Sequence, residues 1–196
     1  MTAPARRGLR MLRGDRASQL VEFAVALPLL IVLVIGIFDF ANAFSLKHKL
    51  TDAAREGARF ASNQPSSDLS QTVPNSIQAV ASLVGNIILN DKMDDCGLSN
   101  SADQSVNHAP GTLTWTVTAS AGSCPGPISL EINHGFTFQS PPSSVYATAM
   151  TVEATKVTIS YAYKWQFNSV ITLLVPTANY PGTTQLTSVS VMQNLN

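Results

Sequence analysis

Sixteen consecutive residues without a charge, FAVALPLLIVLVIGIF from Phe23 to Phe38, constrain this chain more than any other feature. A helix that crosses a bilayer needs about 20 mostly apolar residues. Leu20 to Phe40 meets that length if Glu22 and Asp39 sit near the two interfaces. A core helix of a small soluble protein keeps a polar face, and this run has none. Arg6, Arg7, Arg10, Arg13 and Arg16 precede the run, opposed only by Asp15. Residues 1–59 hold nine Lys/Arg and five Asp/Glu, whereas residues 60–196 hold three and seven. That asymmetry predicts a cytoplasmic N-terminus and an extracytoplasmic remainder by the positive-inside rule.

The whole chain is electrically neutral, with 12 basic and 12 acidic residues. Charged residues are 12% of the 196, about half the ~25% of an ordinary soluble domain. Mean hydropathy is +0.14. These values exclude a charge-driven disordered chain and argue against a nucleic-acid binder. Two cysteines and three histidines cannot build a zinc ribbon. No P-loop, G-x-G-x-x-G, H-E-x-x-H or G-x-S-x-G is present. His48, His108 and His134 are isolated, and Asn90 to Asp95 lacks the EF-hand ligand pattern and reads as a solvated turn. The expectation is a protein that is not an enzyme, with no cofactor and no metal.

Two fates are open to the apolar run. As part of a secretory signal peptide it would be removed after Ala41-Asn42-Ala43, a small-residue cut site, although 43 residues is long for such a peptide. As a retained anchor it would continue into Lys47 to Ser62, KHKLTDAAREGARFAS, which is built of helix formers apart from Gly57. There Leu46, Leu50, Ala53, Ala54, Gly57 and Ala61 recur on one face. Asp52 with Arg55, and Glu56 with Arg59, are i,i+3 pairs on the other. A helix from 18 to 62 would be roughly 65–70 Å long. Its stripe of Ala54, Gly57, Ala58 and Ala61 is small enough for close approach by a helix of another subunit, by this protein's own globular part, or by both, since the two readings are compatible.

Three blocks carry a family resemblance: Ser18-Gln-Leu-Val-Glu22-Phe-Ala-Val-Ala-Leu-Pro-Leu-Leu, Gly36-Ile-Phe-Asp-Phe, and Leu50-Thr-Asp-Ala-Ala-Arg-Glu-Gly-Ala-Arg-Phe60-Ala. Together they resemble the TadE-like family, the minor pilins or pseudopilins of bacterial tight-adherence pilus systems. The resemblance is close over residues 18–61 and loose beyond. It implies a single-pass inner-membrane protein whose leader, residues 1–17, is cut by a prepilin peptidase. The partners it implies are other pilin subunits and pilus assembly platform proteins. With Glu22 fifth in the mature chain, the cut falls between Ala17 and Ser18. The family usually carries Gly before the cut, and the nearest here is Gly14. A cut between Gly14 and Asp15 would make Glu22 eighth. A carboxylate inside an apolar helix calls for a partner. The amino group of a neighbouring subunit is one candidate, and Arg16 or water in the headgroup layer is the other. The alternative function is a signal-anchored or secreted binding or adhesin module with no filament role.

Residues 63–196 read as an extracytoplasmic α+β domain. Ile77, Val80, Ala81, Val84, Ile87 and Ile88 predict an amphipathic helix over 75–90. Alternation predicts strands at Leu113–Val117, Ile128–Ile132, Val157–Trp165 and around Leu186–Met192. Helices followed by successive strands indicate an α+β module with an antiparallel sheet, and the family resemblance implies that it is pilin-like. The stretches 133–148 and 176–184, rich in Pro, Ser, Gly and Asn, predict surface loops. Cys96 and Cys124 lie on the external side, where an oxidising compartment permits a disulfide. Two free buried thiols are the alternative, and the absence of C-x-x-C argues against redox chemistry.

Overall fold

The computed structural model describes residues 15–141, 148–166 and 182–195. Its elements are α1 (Asp15–Ser62), a 3-10 turn (Ser66–Asp68), α2 (Asn75–Asn90), β1 (Ser105–His108), β2 (Thr114–Ala119), β3 (Ile128–Ser140), β4 (Met150–Lys164) and β5 (Thr183–Gln193). By internal contacts the chain divides into two units: residues 1–40 with 166–178, and residues 41–165 with 179–196. The division falls inside α1.

In the first unit, α1 runs from Asp15 through Pro28 without a break. Its apolar side chains stay exposed, Leu20, Val21, Phe23, Leu29 and Phe38 among them. The apolar window has a mean hydropathy of 2.8 and none of it is buried. By length and composition, this helix can cross a membrane. Asp39, by contrast, is only 3% exposed.

The second unit is a two-layer α+β fold. Its five strands form an antiparallel sheet in sequence order, a simple meander. Alternation decides which side chains face the helices. Val117, Leu130 and Ile159 are buried, while Thr116, Glu131 and Thr158 are not. The pairs Val117↔Leu130 and Leu130↔Ile159 align these buried residues across three strands. Leu50, Ala53, Ala54, Ala58 and Ala61 of α1 join Ile77, Val80, Ala81, Val84 and Ile88 of α2 over this face, around the fully buried Trp115. Burying a large apolar side chain stabilises by about 1.5–3 kcal/mol, so this single cluster carries the fold.

Helix α2 follows its predicted bounds. Its N-cap is Pro74, which offers no side-chain oxygen. Asp68 takes that role from the 3-10 turn: its carboxylate accepts the Ser76 N–H at 2.8 Å and the Ser76 hydroxyl at 2.9 Å. Satisfying an orphan donor this way is typically worth ~1 kcal/mol. At the other end Lys49 donates to the Asp91 carbonyl at 2.7 Å, tying α2 to α1.

The sheet departs from expectation in four places, the first being that β4 begins at Met150 and not at Val157. Residues 133–140, predicted as loop, continue β3 past a bulge between Asn133 and Phe136. One extra residue flips the alternation. Before the bulge Ile128, Leu130, Ile132 and His134 point inward, and after it Phe136 and Phe138 pair with Ala154 and Val152 on the outer face. Gly and Asn there mark the bulge: Gly135 N–H donates to Asn133 Oδ1 at 2.9 Å. Residues 183–184, also predicted as loop, begin β5 by pairing with Lys164 and Tyr163. Residues 142–147 and 176–181 of those predicted loops lie outside the described residues. Finally, β1 has only four residues and too weak an alternation to be foreseen.

Candidate functional site

Helix α1 carries most of the residues singled out from sequence. Gly14 lies outside the described residues, and Asp15 and Ala17 belong to the helix's first turn. Ser18 and Glu22 are exposed. Around Glu22, Leu20, Val21 and Phe23 are each exposed by more than half (69%, 66% and 59%). The carboxylate therefore stands in an apolar collar that the described part of the chain leaves uncovered. Such a surface is costly in water and favourable only against lipid or other apolar helices.

The small-residue stripe has a different fate. Ala54, Ala58 and Ala61 are fully buried, and Gly57 is buried with them. A Cβ on Gly57 would stand 2.7 Å from Val84 Cγ2 of α2 and 3.7 Å from Val157 Cγ1 of β4. Of the two partners open to this stripe, the structure supplies the intramolecular one. Within this chain the stripe is taken up by α2 and the sheet. The polar side of the same helix is solvated: Asp52–Arg55 at 3.5 Å and Glu56–Arg59 at 3.7 Å are exposed pairs. At that exposure they contribute little.

Cys96 and Cys124 are joined in a disulfide, with Cα atoms 5.6 Å apart. The turn leading into it is not the solvated one expected. Asp95 is buried and accepts the N–H groups of Gly97 at 3.2 Å and Ser99 at 2.6 Å. Asp94 accepts Cys96 N–H at 2.9 Å, Ser123 N–H at 3.1 Å and the Ser123 hydroxyl at 2.8 Å, so it spans both sides of the bridge. The Cys96 N–H, then the Ser123 hydroxyl, hold its carboxyl below the usual carboxylate range. Cys96 and Gly97 both adopt positive φ, 57° and 86°, a left-handed pair that suits glycine at the second position. Asp94 lies near both sulfurs, yet sulfurs bonded to each other are not the thiolates that ligate metals. This corner is a structural clasp.

A second polar group escaped the sequence reading. His134 is buried at the bulge, with Nδ1 3.0 Å from Thr155 Oγ1. The Thr155 hydroxyl donates to Asn194 Oδ1 at 2.7 Å, so its one hydrogen is engaged there. His134 Nδ1 must then be the donor to Thr155, which leaves Nε2 an unprotonated lone pair, buried and without a hydrogen-bond partner among the described residues. Burial lowers the His134 pKa, with Asp68 opposing more weakly. His108 stacks on Trp115 at 4.8 Å, and Trp115 meets the His134 ring edge-on at 6.3 Å. No spacing in the chain announces this set, because its members come from four separate strands and the terminal segment.

A family model described as TadE-like protein matches residues 17–59. The match covers the segment that carries the resemblance, from the first turn of α1 to near its end. No curated protein and no solved structure matches the chain.

Proposed function

We propose that this chain, with its TadE-like helix, is a minor pilin or pseudopilin that takes part in assembling a tight-adherence type pilus. The family match over residues 17–59 supports an association with that machinery. One observation carries the finer reading. A single helix is bare and apolar over its first half, then sealed onto a sheet over its second. A soluble domain gains nothing from such an element, whereas a subunit that passes from bilayer to filament needs its apolar half free for lipid first and for other helices later.

In this reading the chain is single-pass in the inner membrane, with its N-terminus cytoplasmic. A prepilin peptidase removes residues 1–17, and other pilin subunits and platform proteins are the partners. The role is structural and non-catalytic. Association runs through the exposed collar around Glu22, since Gly57 and its neighbours are occupied internally. An incoming subunit's amino terminus in apolar surroundings would be stabilised by the facing carboxylate, fixing the axial register.

Glu22→Ala tests this. A charged residue at mid-span costs about 2.5–3.5 kcal/mol of insertion and less near an end, so the variant should insert at least as well as the parent. Surface pili should be lost. Glu22→Asp, with a shorter reach, should restore part of the count. Normal piliation with Glu22→Ala would overturn the assembly role.

A further inference from the structure

Strand β5 is the last strand of the sheet, and among the described residues no strand pairs with its outer side. Its sequence, TTQLTSVSVMQ, has no charge and no proline. It pairs with β4 over eleven successive positions without a register shift. Natural edge strands are kept from pairing by being short, charged, bulged or proline-bearing. β5 has none of these devices. The opposite edge, β1, has the sequence SVNH and also carries no Lys, Arg, Asp or Glu.

The direction of the helix limits what can dock. Thr51 Oγ1 is 3.2 Å from Ser188 Oγ, and Ser188 pairs with Ile159. Six residues further along α1, Gly57 faces Val157. The helix therefore runs against β4 and with β5. Two copies joined by antiparallel β5–β5 pairing would point residues 41–62 of their helices in opposite directions, so the Ala41 ends that lead to the anchors would lie at opposite ends of the joined sheet. A five-stranded meander has an odd number of strands, so β1 and β5 run the same way. Copies set side by side in one membrane can then join β5 to β1 as parallel neighbours. All helices keep one direction, and no charge opposes contact.

We propose that the β5 edge of one copy takes the β1 edge of a neighbouring copy, extending the sheet from chain to chain. The inference rests on the membrane-anchored part of the function proposed above. The contact is heterologous and open-ended. With only four residues in β1 it is weak between free chains, and confinement to a membrane supplies the effective concentration it needs.

Cysteine cross-linking in intact membranes tests it. Asn107 of β1 and Thr187, Val189 and Val191 of β5 share the outer face, since they pair with Thr116, Ser160, Thr158 and Lys156. Val189 is 51% exposed. Asn107→Cys combined with Thr187→Cys, Val189→Cys or Val191→Cys should, on mild oxidation, yield a ladder of dimers and higher species in at least one register. Asn107→Cys with Arg59→Cys, on the solvated side of α1, should not. Overturning results are no ladder in all three registers, an equal ladder with the Arg59→Cys control, or dimers from Val189→Cys alone. The same membranes keep the two readings apart. Loss of the ladder with normal pili sinks the edge pairing only, and normal pili in Glu22→Ala with the ladder intact sinks the pilin reading only.

Discussion

Gly57 of α1 lies so close to Val84 of α2 that a Cβ at position 57 would stand 2.7 Å from the valine Cγ2. The glycine therefore sets the distance between the two helices over the sheet. Adding the methyl in Gly57→Ala gains up to about 1 kcal/mol of helix propensity. Overpacking against a β-branched side chain costs about 1–3 kcal/mol, so the net effect is a modest loss. Gly85→Ala is the harsher change. Its Cβ would meet the Leu98 carbonyl carbon at 2.7 Å and the backbone nitrogen of Ser99 closer still. Backbone cannot turn aside as a side chain can. Denaturant unfolding should show Gly85→Ala well below Gly57→Ala in stability, and the reverse order would contradict this packing.

The Cys96–Cys124 bridge ties residues 28 apart in sequence. By the chain-entropy account, closing a loop of this size stabilises by about 3–4 kcal/mol. The native protein should resist alkylation at both thiols, and reductant should lower its melting temperature markedly. Two freely alkylated thiols in the folded protein, with no change on reduction, would remove the bridge from the stability of this corner.

Acid should weaken the domain in two windows. Folded His134 binds its proton less tightly than the unfolded value of 6.5, because burial disfavours the charged ring. The unfolded chain then binds more protons, so the His134 contribution is complete above pH 6.5 and declines as pH falls below it. His134→Gln should flatten stability over that window. Asp94, its carboxyl held below the usual 3.8, contributes above that value and loses the contribution as pH falls further. Asp94→Asn should remove the second decline while leaving the first.

Processing offers a direct check on the leader. N-terminal sequencing of protein recovered from membranes should begin at Ser18, with Asp15 as the alternative start. A chain beginning at Phe44 would mean that the apolar helix is discarded, and the membrane-anchored reading would fail.

The sequence by itself determined the elements whose cause is local. The run from Phe23 to Phe38 has no polar face, and most of its large side chains stay exposed. The bounds of α2 followed from its apolar period, and the Cys96–Cys124 pair from compartment and count. Tertiary structure decided the rest, because the forces at issue act between residues far apart in the chain. A stripe of Ala54, Gly57, Ala58 and Ala61 specifies closeness without specifying the neighbour, and only the packed domain assigns it to Val84 and Val157. Asp68 reads as one more loop acid until it meets the uncapped start of α2. His134 looks isolated until Thr155 and Asn194 fix its tautomer. The stretch 133–140 scores as loop by composition, yet pairing with β4 satisfies its backbone groups and overrides that weak local preference.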